Sequence, residues 1–211
     1  MSRTAHRLIG PEEPLWAPHH PEADPVSLHT LGFWLYMMSD ALIFAALFAA
    51  YAVLDHPYNA AGGPQISDVV HPVAAFIQTV IIFTSVFAYS LAMVGLKAGN
   101  RAFVIGGLVA AVLLGAAFLG LELRDFAVLI AEGATPDRSG LLSVFFVLVA
   151  THGIHMVFGI LWMLVMIVQV AMKGFTTAVV TRLLNLRIFW MFQASIWVCV
   201  FVFVYLNGAY R

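Results

Sequence analysis

Asp40 interrupts the apolar run Leu31–Leu54, and His152 and His155 stand three apart inside another, Leu141–Met172. Carboxylates and imidazoles bind and pass protons, and histidine is also a common metal ligand. In hydrocarbon an ionised side chain costs at least about 2.5 kcal/mol, so each needs a partner, a water-filled cavity or a bound proton. The chemistry open to these residues is therefore proton exchange, an intramembrane ion pair or metal ligation. At a spacing of three, His152 and His155 share one helical face. A metal needs further ligands, however, and the sequence offers no matching cluster. Haem ligation would require histidines paired across helices at matching depth, which His29 in the N-terminal stretch and His71 at a helix end do not provide. Hydrogen-bonded structural histidines are the simpler reading.

Glu122 is the fourth such residue, followed closely by Arg124 and Asp125 in "LELRDF". That segment reads as the place where its helix leaves the hydrocarbon. Its charges then meet lipid head groups or a partner subunit, or simply water. For Asp40 a rise of 1.5 Å per residue gives a depth of roughly 14 Å from one end of its helix, and for His152 roughly 16 Å from the opposite end of its own. The two depths nearly coincide. Asp40 is accordingly expected to face the bundle interior and share a hydrogen-bond network with His152 or with the surrounding segment "VATHGIHMVFG".

The elements that must position these groups are membrane spans. The chain of 211 residues is 62% hydrophobic and only 10% charged, with a mean hydropathy of +0.94; soluble domains are about 25% charged. Apolar runs cover Leu31–Leu54, Val73–Leu96, Ala102–Leu121, Leu141–Met172 and Ile188–Leu206, each near the roughly 20 residues that cross a bilayer as helix. Between them stand "DHPYNAAGGPQISD", "KAGNR", "EGATPDRSG" and "KGFTTAVVTR", which are breaker-rich. The runs are continuously apolar, unlike the alternating strands of a membrane barrel. The expected fold is all-α: a polytopic membrane protein of five transmembrane helices, with residues 1–30 as an irregular cytoplasmic tail and residues 31–211 as the bundle. Arg3, Arg7, Lys97, Arg101, Lys173, Arg182 and Arg187 fall on one side and Arg124, Arg138 and Arg211 on the other. The basic excess marks the cytoplasmic side, which places the N-terminus inside and the C-terminus in the periplasm.

Close helix packing is legible in small residues. Gly107, Ala111 and Gly115 recur every fourth residue in the third span, flanked by Gly106 with Ala110 and Ala116 with Gly120; Ala41, Ala45 and Ala49 repeat the pattern in the first. Such stripes let membrane helices approach closely. In the tail, His19, His20, Glu22 and Asp24 are read as solvated rather than metal-binding. The lone Cys199 reads as a buried small hydrophobe. No phosphate-binding glycine loop, nucleophile elbow or two-cysteine motif occurs, and a net charge of -1 without a basic run excludes nucleic acid as a partner. By its residues alone this is an integral membrane protein with buried polar contacts and no evident reaction centre.

The stretch "GFWLYMMSDALIFAALFAAYAVL" resembles subunit III of haem-copper terminal oxidases, most closely the five-helix form of bacterial cytochrome o (bo-type) ubiquinol oxidases. The likeness continues through "AAGGP", "GLEL", "PDRSGLLSVFF", "THGIHMVFGILWM", "FW" and "WVCVFVFVYL". The resemblance implies a subunit without a redox centre, catalytic residue or metal of its own. Haems and copper would reside in the large subunit I, against which it packs, with subunits II and IV completing a proton-pumping complex that oxidises ubiquinol in the bacterial inner membrane. It further implies phospholipid held between the helices and support for stability and sustained proton uptake. The family's intramembrane acid, its histidine pair and its third-helix acid match Asp40, His152 with His155, and Glu122.

The fifth span departs from the family pattern. Where the family has a histidine and an aspartate between two tryptophans, "WMFQASIW" carries Met191 and Ala194. Gln193 and Ser195 offer replacement hydrogen bonds but point in different directions around the helix. Two other readings stand beside the quinol oxidase subunit: a cytochrome c oxidase subunit III, and a small proton-coupled transporter using Asp40 and the histidines as a relay.

Overall fold

The computed structural model describes residues 25–60 and 70–209, so His19, His20, Glu22 and Asp24 lie outside the described residues. Five helices are long and apolar enough to cross a membrane: α1 (Pro25–Leu54), α2 (Pro72–Lys97), α3 (Arg101–Ala131), α4 (Gly140–Lys173) and α5 (Thr177–Val200). α5 runs on through a π-helical turn, Phe201–Leu206, and a last turn, Asn207–Ala209. No strand occurs among the described residues.

Three of the helices end or start differently from the apolar runs. α1 begins at Pro25, inside the stretch read as tail, with proline at a position whose missing N–H leaves no bond unmade. α3 does not stop at Leu121 but continues to Ala131 and is terminated at Gly133, with φ +79°. α5 starts eleven residues before Ile188, because Thr176 caps it by accepting from the Val179 N–H at 3.4 Å and because Val179, Leu183 and Leu186 are buried. Hydropathy missed this segment because the exposed Arg182 and Arg187 flank its buried face.

α2 packs along α3, α4 touches both α3 and α5, and α1 lies on α4 and α5. At Gly107 a Cβ would come within 2.7 Å of the Ala92 Cβ and 3.0 Å of the Ala88 carbonyl, so its absence sets the α2–α3 approach. The rest of the stripe divides. Ala111 and Gly115 are buried, whereas Gly106, Ala116 and Gly120 are exposed, as are Ala45 and Ala49 of α1. Among the described residues, only Ala41 of the α1 stripe is partly covered.

The loop between α4 and α5 is closed by Gly174, whose φ of +66° and ψ of -151° fall where glycine alone is at ease. A Cβ there would also fall on the guanidinium of Arg101. Gly174→Ala is expected to lower stability by about 1–3 kcal/mol from backbone strain, with a further loss from displacing Arg101, read as a lower thermal midpoint of the purified protein.

Candidate functional site: an intramembrane polar layer

Asp40 is buried on the face of α1 that carries Met37, Phe44 and Tyr51. Its Oδ1 lies 3.2 Å from Nε2 of His155 on α4. The partner within "HGIH" is thus His155, not His152. The other ring nitrogen of His155, Nδ1, lies 2.7 Å from the Thr151 carbonyl. A carbonyl only accepts, so Nδ1 carries hydrogen. The Nε2···Oδ1 approach is a hydrogen bond when one hydrogen lies between the two atoms. Phe44, 5.1 Å from the imidazole between ring centroids, and Phe189, stacked at 6.5 Å, shield it. The His155 side chain is 20% exposed and that of Asp40 6%. This is a hydrogen-bonded acid–histidine pair at the edge of the bundle.

His152 is buried and belongs to a different layer. Its Nε2 donates to the Gln193 carbonyl at 3.2 Å, and its ring meets Phe118 edge-on at 5.7 Å and Trp197 at 5.4 Å. The carbonyl of α5 thus supplies the helix-five contact that the residues at Met191 and Ala194 do not. Gln193 is wholly buried, whereas the exposed Ser195 hydroxyl donates back to Met191.

Glu122 is not at a solvated helix end. It is only 2% exposed and rests on Gly153 of α4, where a Cβ would come within 3.3 Å of its Oε1. α3 turns Leu123 and Arg124 outward and brings Asp125 toward α2, where the amide of Gln78 donates to its Oδ2 at 2.7 Å. The charged triplet is split by helix geometry rather than shed into water.

Two tryptophans of α5 tie the layers together. Trp190 Nε1 donates to Ser85 at 3.1 Å, and Ser85 donates to the Ala111 carbonyl at 2.8 Å. Trp197 Nε1 donates to Thr79 at 3.0 Å, and Thr79 donates to the Ala75 carbonyl at 2.8 Å. Each hydroxyl receives one bond and gives one, so no donor is stranded. Gln78, Thr79, Ser85 and Tyr89 were absent from the residues expected to matter. Gln78, Ser85 and Tyr89 recur on one face of α2 at helical spacing, and that periodicity is a readable signal.

A further feature lies at the N-terminal end of α1. A cleft of about 770 Å³ is lined by His29, Thr177, Thr181, Arg182 and Asn185, and at Phe33 it meets an aromatic groove of about 520 Å³ formed with Tyr36, Phe158, Trp162 and Phe189. Charge at the mouth and apolar walls beyond it suit an amphiphile. Among the described residues no three histidines, cysteines or acids come together as ligands for one ion.

Against known families, residues 13–209 match the one described as cytochrome c oxidase subunit III. A protein of Pseudomonas aeruginosa named cytochrome bo(3) ubiquinol oxidase subunit 3 is 46% identical over 178 residues, 84% of each chain. One of the same name from Pseudomonas putida is 42% identical over 88% of each chain. A cytochrome c oxidase subunit 3 from Bacillus sp. is 34% identical over 84% of this chain and 85% of its own. With five membrane-spanning helices and a match running from residue 13 to residue 209, the chain belongs to the cytochrome c oxidase subunit III family.

Proposed function

We propose that this chain is a non-redox accessory subunit of a proton-pumping haem-copper quinol oxidase in the bacterial inner membrane. It binds directly to subunit I, which carries the haems and copper, with subunits II and IV completing the complex and ubiquinol as electron donor. The observation that carries this reading is the 46% identity, over 84% of both chains, to a protein named as subunit 3 of a bo(3) ubiquinol oxidase. The seven-to-three distribution of Lys and Arg supports a cytoplasmic N-terminus. In that orientation the cleft with His29 and Arg182 opens at the cytoplasmic leaflet.

The residues of this chain act by binding and holding. Arg182, steadied by Gln169 at 2.8 Å, offers a cation to a phospholipid head group, and the aromatic groove takes an acyl chain. Asp40 and His155 fasten α1 to α4 through the hydrogen bond between them. Support for sustained proton uptake follows if that pair keeps α1 in place against subunit I during turnover.

The experiment is to tag this chain, extract it gently from native membranes, and analyse what accompanies it by mass spectrometry, haem absorption and oxygen consumption. Co-purification with a haem-bearing large subunit, retained phospholipid and ubiquinol-driven oxygen uptake are expected. The similarity to a cytochrome c oxidase subunit 3 of Bacillus sp. favours a second reading within the family; activity with reduced cytochrome c but not ubiquinol would select it. A haem-free chain that remains intact alone and drives Asp40-dependent uptake would replace both with a transporter.

A further inference from the structure

We propose that Glu122 is an exchangeable proton-binding site, fed by water from a cavity at the end of the bundle where α2 begins. Glu122 is buried, and neither of its carboxyl oxygens has a hydrogen-bond partner among the described residues. It also lacks the arrangement found at Asp40. On α4 it faces the bare backbone of Gly153 rather than a side-chain donor. An ionised carboxyl so placed has no hydrogen-bond donor, and a protonated one has no acceptor. A water molecule can serve as either.

The surroundings are built for water. Buried water bonds about three polar groups that would otherwise go unsatisfied. Among the other side chains with such buried atoms are Gln78 Oε1 on α2, His152 Nδ1 on α4 and the side-chain amide of Gln193 on α5. They belong to one neighbourhood. His152 precedes Gly153, on which Glu122 rests, and binds Gln193; Gln78 holds Asp125, one helical turn beyond Glu122.

Asp125 also lines the inlet. A cavity of about 230 Å³ opens between the beginning of α2, the end of α3, Phe145 of α4 and Tyr205 of α5, and its polar walls are His71, Arg124, Asp125 and Tyr205. That volume holds several waters, each occupying about 30 Å³ in the liquid. From Asp125 to Glu122 the distance along the helix axis is about 4.5 Å. The π-helical turn of α5 contributes to the wall. Its extra residue per turn lets the consecutive residues Val204 and Tyr205 both face inward.

The polar and titratable groups around Glu122 are Asp125 on its own helix, Gln78 on α2, which holds Asp125, His152 on α4, next to Gly153, and Tyr205 on α5; His71 and Arg124 line the cavity. Asp125 is already engaged by Gln78, and His152 turns its Nε2 toward Gln193, with its Nδ1 left without a partner among the described residues. Proton uptake then forms an O–H bond on a Glu122 oxygen and leaves the delivering hydronium as neutral water. Release reverses both changes. Nothing in this exchange requires another cofactor, and it holds whatever complex the chain joins.

Infrared spectra of the tagged protein, purified with its native partners and recorded in H2O and after transfer to D2O, test it. A protonated-carboxyl band that shifts promptly in D2O and is missing from Glu122→Gln is expected. Ala74→Leu, which fills the cavity wall away from the carboxyl, should keep the band but slow its shift by at least about tenfold, equivalent to about 1.4 kcal/mol of barrier. If Glu122→Gln does not fold, Glu122→Asp serves instead, and a band that moves in frequency with it makes the same assignment. Identical spectra for the wild type and the Glu122 variant would overturn the proton site, and an unchanged exchange rate in Ala74→Leu would overturn the inlet.

Discussion

Asp40→Ala is expected to destabilise the protein by about 3–5 kcal/mol, the range for removing one member of a buried ion pair. The loss arises less from the vanished attraction than from His155, which keeps its Nδ1 bond to Thr151 and is left with an Nε2 that faces no partner. His155→Ala should cost a comparable amount, and the double variant less than the sum, with a coupling of about 0.5–3 kcal/mol. Asp40→Asn combined with His152→Gln should instead be additive within about 0.5 kcal/mol, since His152 is engaged with Gln193. Thermal midpoints of the wild type, the four single variants and the two double variants decide between these outcomes. In oxygen-consumption assays the initial rate should stand while activity decays sooner, because the pair fastens α1 to α4. An assembled Asp40→Ala protein with no initial activity would place Asp40 in the reaction itself.

Trp190→Ala should bring a loss of similar size, about 3–5 kcal/mol as for other buried large aromatics. Trp190 is fully buried and touches three other helices at once. Its outer ring edge occupies space that a Cβ at Gly115 of α3 would enter at 2.9 Å, the opposite edge does the same at Gly159 of α4 at 2.8 Å, and its Nε1 donates to Ser85 of α2. Gly115→Ala is therefore an overpacking change expected to cost about 1–3 kcal/mol. The two glycine sites respond differently to a shorter ring. In a Trp190→Phe background the Gly115 penalty should largely disappear, since only Trp190 atoms approach that Cβ closer than 3.5 Å; at Gly159 part should remain, because Phe189 also lies 2.9 Å away. Thermal midpoints again provide the readout, and an equal Gly115 penalty in both backgrounds would show that the indole is not what Gly115 accommodates.

Five helices were legible because a membrane span is a local property: twenty apolar residues suffice, wherever the others lie. What the sequence concealed is relational. His152 and His155 share a helical face, so their spacing could not decide which meets Asp40; that depends on where α1 lies across α4, contacts separated by 115 positions. Glu122 was misplaced because Arg124 and Asp125 drew its short segment toward water in a hydropathy reading. The face formed by Phe118, Glu122 and Leu129 would have kept the helix going. The stripe Gly107, Ala111 and Gly115 was readable as packing, but nothing in its spacing showed that the third of these receives an indole from α5 rather than a neighbouring backbone. The cap at Thr176 lies in a segment whose hydropathy is lowered by the two arginines that follow, so the apolar run does not reach it.

α1 has one more consequence, which concerns the order in which the chain is made. It leaves the ribosome first, yet the helices it rests on, α4 and α5, are the last to appear. At 5–20 residues per second, the 115 positions from Asp40 to His155 take roughly 6–23 s to translate. During that interval an acid sits in the bilayer with its eventual partner not yet synthesised, at an insertion penalty of about 2.5–3.5 kcal/mol. The apolar residues around Asp40 offset this, with an 18-residue window inside the segment from Leu28 to Leu54 averaging a hydropathy of 1.9. The greasiness of α1 thus serves biogenesis as well as the finished bundle: it carries the carboxyl into the membrane well before its histidine partner arrives.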